Sequence, residues 1–393
     1  MPHRKFTASS DVILAASRVR DWIVEEGVHV ADLGGFLDQL CERIRTGGVA
    51  IERATLGFEV LHAERIRMSR EWQLGRAQTE RTLPLGMEAR YDSSPFALAY
   101  RTNDWVVLDL GSTGDEQFPV VRDLKSMGFT GYVAIPVPFT DGSENSVSFA
   151  TRQARGFGEA DLAFLARVVP VLAVALEIRR TRMQMDDLLR TYVGEEPKRL
   201  VLSGNVHRSD VIRISAAIMF SDIRGFTSLS TRLNDEESVA LLNAYFDCFV
   251  PEIEARGGEV LKYVGDGILA IFRDQEAATA KAAAATLAAA QAGLSRAAQL
   301  SAEKRLGRAL KVGVSLHHGT VAYGNIGSGS RLDFTVVGRD VNLTSRIQKA
   351  NKRLDEPLLM SEPFARHIAP MPVEIGSFKL SGIAEPQKLY IPR

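Results

Sequence analysis

The first half of the chain opens with a helical spacing of apolar residues. Between residues 11 and 47 they recur as on one face of a helix; they are Ile13, Val19, Trp22, Ile23, Leu33, Phe36, Leu37, Leu40 and Ile44. Short apolar runs typical of strands follow at residues 50–56, 58–61, 106–108 and 131–139, and a last helical pattern covers residues 158–180. This order predicts an α+β domain that begins and ends with helices.

Strand patterns return in the second half, and each is followed by a turn that contains glycine. Residues 212–220 form an apolar, β-branched run, and residues 260–263 and 268–272 indicate two strands joined by a hairpin. Asp222 follows the first of these strands, and Asp266 lies in the hairpin turn. We therefore expect both carboxylates at strand ends, outside the core, where they could converge on one cation.

Two such carboxylates suit phosphate chemistry that depends on magnesium. Mg²⁺ prefers oxygen ligands and usually takes one or two protein carboxylates, with water and substrate phosphates as the other ligands. A pair of metal ions can activate an attacking hydroxyl and stabilise a leaving pyrophosphate. The alternative is that Asp222 caps a helix starting near Phe226 and that Asp266 only fills the hairpin turn.

The amino-acid composition limits the classes of partner that this protein could bind. The 393 residues are 45% hydrophobic, enough for two domains with substantial cores, and 48 basic residues balance 48 acidic ones. Because the charges cancel and no long run of one sign occurs, no net field attracts the chain to nucleic acid or to an anionic membrane. We expect neither as a partner.

Three features predict a cytoplasmic protein. The only cysteines, Cys41 and Cys248, lie far apart in sequence, which argues against a disulfide framework and is compatible with a reducing compartment. The N-terminus is polar and lacks the apolar core of a signal peptide. The most apolar stretch, residues 162–178, is short and contains Arg167 and Pro170, so it predicts a buried helix rather than a membrane span.

Four blocks of residues, in order, resemble the catalytic domain of class III nucleotidyl cyclases, the family of adenylyl and guanylyl cyclases. They are residues 220–227 (Phe-Ser-Asp-Ile-Arg-Gly-Phe-Thr), 262–267 (Lys-Tyr-Val-Gly-Asp-Gly), 313–324 and 333–346. The resemblance extends over residues 198–393 and implies a ferredoxin-like βαββαβ catalytic domain at residues 211–393. It also implies an adenylyl cyclase that converts ATP to 3′,5′-cyclic AMP and pyrophosphate.

The resemblance assigns a role to each candidate residue at the metal site and the base site. Asp222 and Asp266 match the ligands of two Mg²⁺ or Mn²⁺ ions, and the backbone carbonyl of Ile223 matches a further ligand. Lys262 matches the lysine that reads the purine in adenylyl cyclases. A cationic donor suits the ring nitrogens of adenine, whereas guanylyl cyclases have an acid at this position.

Thr335 matches the second residue that reads the base when Gly338 is aligned with the glycine of the family. Many adenylyl cyclases have aspartate there, and this chain resembles a bacterial subgroup with threonine or serine. A hydroxyl both donates and accepts hydrogen bonds, so Thr335 discriminates adenine from guanine less sharply than a carboxylate would. Adenine preference then depends mainly on Lys262, and a guanylyl or dual-specificity cyclase remains the alternative.

Asn342 and Arg346 match the pair that orients the ribose and stabilises charge on the transferred phosphate. They are four residues apart and thus share one face of a helix, which we expect Asp340 to cap. The phosphate-binding lysine of the family normally precedes a glycine, but Ser381 stands at that position. Lys379, two residues earlier, is therefore a displaced candidate for this contact.

The resemblance also implies a homodimer with two shared sites. The metal ligands Asp222 and Asp266 of one subunit would meet Lys262, Thr335, Asn342 and Arg346 of the other, so a monomer should be inactive. A rival interpretation is a catalytically silent scaffold that uses the cyclase fold only to dimerise. The displaced Lys379 is the feature that keeps it open.

The first half resembles a GAF-type sensory domain. We assign residues 1–178 to this GAF-like domain and residues 179–210 to a helical linker that resembles the preamble of many cyclase domains. By analogy the first domain would bind a small-molecule ligand and regulate catalysis, although a purely structural dimerisation domain is the alternative. An apolar stripe over residues 172–189 could pair with its copy in the dimer.

Overall fold

The computed structural model describes residues 6–204, 207, 211–274, 279–303, 310–329 and 331–393. The chain divides into two compact units, Met1–Leu188 and Leu189–Arg393. Part of the predicted linker, residues 205, 206 and 208–210, lies outside the described residues.

A six-stranded antiparallel sheet organises the first unit, in the order β3-β2-β1-β6-β5-β4. Its strands are β1 (Arg53–Glu59), β2 (Arg65–Gln73), β3 (Thr79–Pro84), β4 (Val106–Asp109), β5 (Gly131–Pro136) and β6 (Ser146–Thr151). Its helices are α1 (Ser10–Glu25), α2 (Leu33–Thr46), α3 (Glu88–Asp92), α4 (Pro95–Thr102), α5 (Pro119–Ser126) and α6 (Glu159–Val193), with a 3-10 turn at Gly27–His29.

Both faces of this sheet are covered, because alternate side chains of a strand point to opposite sides. In β5, Val133 and Ile135 join the larger core cluster with residues of α1, α2 and α6. Tyr132 and Ala134 join a second cluster with residues of α4 and α5. Strand β5 is therefore buried along its whole length.

Two sequence predictions need correction in this unit. The helical pattern over residues 11–47 is two helices, since the chain turns at Gly27–His29 and Asp32 caps α2 through the Gly35 amide at 2.8 Å. The two strand runs around Gly57 are one strand, β1. A Cβ on Gly57 would lie 3.0 Å from the Ser146 hydroxyl, so glycine allows β6 to approach here.

Helix α6 continues past residue 180 into the predicted helical linker and includes Pro170 within its length. Its residues up to Arg180 contribute to the core, which confirms that the apolar stretch 162–178 is a largely buried helix. No described helix combines the length and the apolar content that a bilayer crossing requires.

The second unit contains eight strands and six helices among its described residues. The strands are β7 (Val211–Ile223), β8 (Glu259–Val264), β9 (Gly267–Arg273), β10 (Val312–Ser328), β11 (Arg331–Val337), β12 (Leu358–Ser361), β13 (Val373–Phe378) and β14 (Gln387–Ile391). The helices are α7 (Glu195–Leu202), α8 (Phe226–Ser230), α9 (Asp235–Glu254), α10 (Thr279–Ala302), α11 (Arg339–Leu354) and α12 (Glu362–Ala365).

These strands form one sheet in the order β13-β14-β12-β10-β7-β9-β8, with β11 paired to the distal half of β10. The apolar cores of α9 and α10 pack on the central strands in one cluster. Alanines on α10 allow the two helices to approach closely, and Gly293 lies directly against the ring of the buried Phe249, where a Cβ would clash. This packing fixes the central strands that carry the candidate site.

Candidate active site

Asp222 and Asp266 lie side by side at one end of the central strands. Strands β7 and β9 are antiparallel, and their register puts Asp222 opposite Gly267, the residue after Asp266. A Cβ on Gly267 would lie 2.9 Å from the Ser221 carbonyl and 3.6 Å from the Asp222 Cβ. Glycine at this position therefore allows the hairpin turn to lie against the end of β7.

The surroundings of Asp266 disfavour the ionised form of its carboxyl group. Burial raises the pKa of Asp266, and the neighbouring negative charge of Asp222 raises it further. The backbone amides of Asp266 and Ile223 and the ammonium of Lys352 act in the opposite direction and lower this pKa. Because burial and the charge of Asp222 together raise the pKa of Asp266, a cation beside the two acids would stabilise its ionised form.

Asp222 is held by two side chains of α11 that the sequence did not reveal. Nε2 of Gln348 donates to Oδ1 of Asp222 at 2.8 Å and also to the Gly313 carbonyl at 2.9 Å. Nζ of Lys352 lies 2.6 Å from Oδ2 of Asp222. Their spacing of four residues puts both on one face of α11, but nothing in the sequence pattern indicated that this face meets β7.

Two predicted helix caps are wrong: that of α8 by Asp222, which was the alternative to metal binding, and that of α11 by Asp340. Helix α8 begins after Gly225, and no side chain caps it, so Asp222 is not its cap. Asp340 lies inside α11, after the N-cap Gly338. Its carboxylate instead accepts a hydrogen bond from the Thr320 amide at 2.8 Å, because β10 passes beside the start of the helix.

The predicted base-reading residues lie on β8 and β11. Thr335 is 4% exposed, and its hydroxyl has no hydrogen-bond partner in the described part of the chain. Nζ of Lys262 lies 3.0 Å from Oδ2 of Asp333, two positions before Thr335 on β11. Residues two apart on a strand share a face, so Asp333 is a further candidate that the sequence motifs did not single out.

Asn342 and Arg346 share a face of α11, as predicted, and neither side chain makes a hydrogen bond or ion pair with the described residues. At 100° per residue, this face points about 120° away from the one that carries Gln348 and Lys352. The two faces of α11 therefore point in different directions. Within one chain, Asn342 and Arg346 are directed away from Asp222.

Lys379 is remote from the carboxylate pair in the same chain. It is exposed and follows β13, the edge strand of the sheet, while Asp222 lies on β7. Strands β14, β12 and β10 separate the two. The structure thus brings Asp222, Ile223 and Asp266 together at one place. It brings Lys262 next to the strand of Thr335 at a second place. Lys379 lies at neither.

The carboxylate pair fits a hard divalent cation. The described residues contain no cluster of three or more acidic, histidine or cysteine side chains with metal-binding geometry. Two carboxylates and a backbone carbonyl leave most positions to substrate oxygens, which is typical of Mg²⁺ in phosphate chemistry. The Lys352 ammonium beside Asp222 shows that this environment already attracts a positive charge.

Residues 213–355 match the model of the adenylate and guanylate cyclase catalytic domain. An adenylate cyclase of Anabaena cylindrica is 30% identical over 213 residues, which are 53% of this chain and 42% of that protein. Adenylate cyclase 1 of Rhizobium meliloti is 31% identical over 180 residues, 44% of this chain and 27% of that protein. The chain therefore carries a class III adenylate/guanylate cyclase catalytic domain.

The crystal structure of the adenylyl cyclase CyaB from P. aeruginosa aligns with a TM-score of 0.43 and 30% identity, over 46% of this chain and 94% of that one. This chain spans less than half the length of the two curated relatives.

Proposed function

We propose that this protein is an adenylyl cyclase that converts ATP to 3′,5′-cyclic AMP and pyrophosphate. The observation that carries the proposal is the adjacency of Asp222 and Asp266 within a cyclase catalytic domain. In the reaction the ribose 3′-oxygen forms a bond to the α-phosphorus, the bond from that phosphorus to the bridging oxygen of the β-phosphate breaks, and the hydroxyl proton passes to water or a phosphate oxygen.

Asp222, Asp266 and the Ile223 carbonyl would hold two Mg²⁺ or Mn²⁺ ions per site. When bound, such ions neutralise the triphosphate and promote ionisation of the attacking hydroxyl. The protein positions their ligands through the β7–β9 pairing. No described side chain beside the pair is an evident general base, so the site acts by charge stabilisation and orientation.

Lys262 and Thr335 would read the base. The buried hydroxyl of Thr335 has no partner in the described structure, and a purine edge would satisfy it. The Lys262 ammonium, next to Thr335's strand, suits a ring nitrogen of adenine.

A homodimer with shared sites accounts for the two faces of α11. The face with Gln348 and Lys352 supports the carboxylates of its own chain, while Asn342 and Arg346 point elsewhere without partners in the described residues. In a second copy, this free amide and guanidinium would orient the ribose and stabilise the transferred phosphate. Lys379 of that copy would meet the terminal phosphates.

The first unit would act as a GAF-like sensory domain that regulates catalysis. Its central antiparallel sheet with helices on both faces supports this proposal. In the catalytic unit, the strands and long helices follow in the order β7-α9-β8-β9-α10-β10, with the five-residue helix α8 between β7 and α9. This order supports the ferredoxin-like arrangement.

A guanylyl or dual-specificity cyclase is the second candidate, and Thr335 is the observation that favours it. A hydroxyl can donate to the carbonyl of guanine as readily as it accepts from the amine of adenine. Lys262 argues against this candidate. Its ammonium is a hydrogen-bond donor at the position where guanylyl cyclases have an acid.

The test is an assay of purified full-length protein with ATP or GTP, in Mg²⁺ or Mn²⁺, that measures cyclic AMP, cyclic GMP and pyrophosphate. We expect cyclic AMP from ATP, and we expect Asp222→Ala or Asp266→Ala to reduce turnover by about a hundredfold or more without loss of circular dichroism signal. Asp247→Ala, an exposed acid of α9, is the matched control and should keep wild-type activity.

Wild-type turnover in either site variant would refute the metal assignment. Cyclic GMP as the main product would favour the guanylyl cyclase. Nucleotide binding without any cyclic product would favour a silent scaffold.

A further inference from the structure

The ammonium group of Lys352 already lies at the carboxylate pair. Nζ of Lys352 lies 2.6 Å from Oδ2 of Asp222, and its positive charge also acts on Asp266. The Lys352 side chain is 47% exposed, whereas that of Asp222 is 13% exposed. The ammonium thus reaches from solvent to a largely buried acid.

The two α11 side chains on Asp222 are not equivalent. Gln348 is neutral and buried, and its amide is fixed by a second bond to the Gly313 carbonyl. Lys352 is charged, and its long stem has an open path to water. A carboxylate oxygen has lone pairs for more than one partner, so Gln348 can remain when another ligand arrives. An ammonium and a metal ion at one carboxylate repel each other.

We propose that Lys352 is a positioning residue that stands in for the metal cation. It holds Asp222 beside Asp266 in the metal-free protein, and it leaves Asp222 as the metal binds. The concentration of metal at which the site fills is therefore set partly by the strength of this ion pair. This inference rests on the proposed assignment of Asp222 and Asp266 as metal ligands.

Direct Mn²⁺ binding to the full-length protein without nucleotide tests the proposal. Free Mn²⁺ is measured by electron paramagnetic resonance for wild type, Lys352→Met and Lys349→Met. The Lys349 variant is a matched control, because it removes the same charge from an exposed position of the same helix. We expect Lys352→Met to bind Mn²⁺ about fivefold more tightly than wild type, and Lys349→Met to bind as wild type does.

Affinity in Lys352→Met equal to or weaker than that of wild type would overturn the inference. An Asp222→Asn variant separates this result from failure of the proposed function. If wild type binds Mn²⁺ and Asp222→Asn does not, the metal assignment stands while the role of Lys352 falls. If Asp222→Asn binds as wild type does, both fall.

A measurement on the wild-type protein covers the case in which Lys352→Met does not fold. Amine acetylation followed by mass spectrometry reports the reactivity of each lysine with and without Mn²⁺. Because the metal releases the Lys352 ammonium from Asp222, acetylation of Lys352 should become faster when Mn²⁺ is added, while that of Lys349 stays constant. Equal or slower acetylation of Lys352 would also overturn the proposal.

Discussion

Thr335, the proposed second base-reading residue, and Asp333 lie two positions apart on β11. The Thr335 hydroxyl is buried and can accept or donate, whereas the Asp333 carboxylate is 61% exposed and can only accept. Asp333 holds the Lys262 ammonium at 3.0 Å. This ion pair orients the Lys262 ammonium, the proposed donor to the base.

We expect Asp333→Asn to lower the preference for ATP over GTP. Loss of this exposed ion pair leaves Lys262 free to take other rotamers, so the ratio of kcat/KM for ATP to that for GTP should fall by about fivefold, mostly through KM. Steady-state assays with both nucleotides check this. Glu374→Gln, which breaks the exposed Lys388 pair on distant strands, should leave the ratio unchanged; an equal ratio in Asp333→Asn would contradict the role of Asp333.

Strand β10 is the element that connects the two parts of the candidate site. It pairs with β7 from Val312 to Gly324, with β12 near its start, and with β11 from Ala322 to Ser328. The strand therefore spans from Gly313, which accepts from Gln348, to Gly324, which faces Thr335. One long strand couples the base-reading residues to the support of Asp222.

Helix α6 presents an apolar stripe that supports pairing with a second copy. Val174, Ile178 and Met185 are 60%, 43% and 47% exposed, and their spacing of four and seven residues puts them on one side of the helix. Exposed apolar side chains at heptad spacing are typical of a helical dimer seam. The side chains that face the core of the first unit lie on another face of α6.

We expect Ile178→Glu to weaken the proposed dimer, because it puts a charge into the apolar stripe of α6. Sedimentation velocity over a range of protein concentrations should show a dissociation constant raised by about tenfold or more, with cyclase activity falling in parallel at low concentration. Leu85→Glu makes the same chemical change at a 66% exposed loop position and should have no effect. An unchanged dimer in Ile178→Glu would exclude the stripe from the interface.

For the whole molecule, shared sites predict complementation between two inactive variants. Asp222→Ala lacks a metal ligand and Arg346→Ala lacks the guanidinium, so each homodimer should be inactive. A mixed dimer of the two has one site with both defects and one intact site, and random mixing should restore about a quarter of wild-type activity. The assay is turnover after equal amounts of the two proteins are allowed to exchange subunits.

A mixture with no more activity than its components would contradict the shared site, provided that exchange is confirmed by mass spectrometry. The control mixes Asp222→Ala with Asp266→Ala. These variants lose ligands that come from the same subunit, so every site in the mixed dimer has one defect and activity should stay absent.

The local features of the candidate site could be predicted from the sequence. Strand periodicity located β7 and the hairpin turn that contains Asp266, but β7 continues to Ile223 and so includes Asp222, which was expected to follow the strand. Helical spacing correctly put Asn342 and Arg346 on one face. Both patterns act within a few residues, where side-chain direction follows from backbone geometry alone.

Sequence patterns thus identify the chemical groups of the candidate site and the strand or helix that carries each. Which groups meet became visible only in the folded chain. Examples are the β7–β9 register that puts Asp222 beside the Asp266 turn, the contact of Asp340 with Thr320, and the ion pair of Lys352 with Asp222. These partners are distant along the chain. Their meeting depends on strand register and helix packing, which follow from the burial of the whole core and leave no short-range pattern.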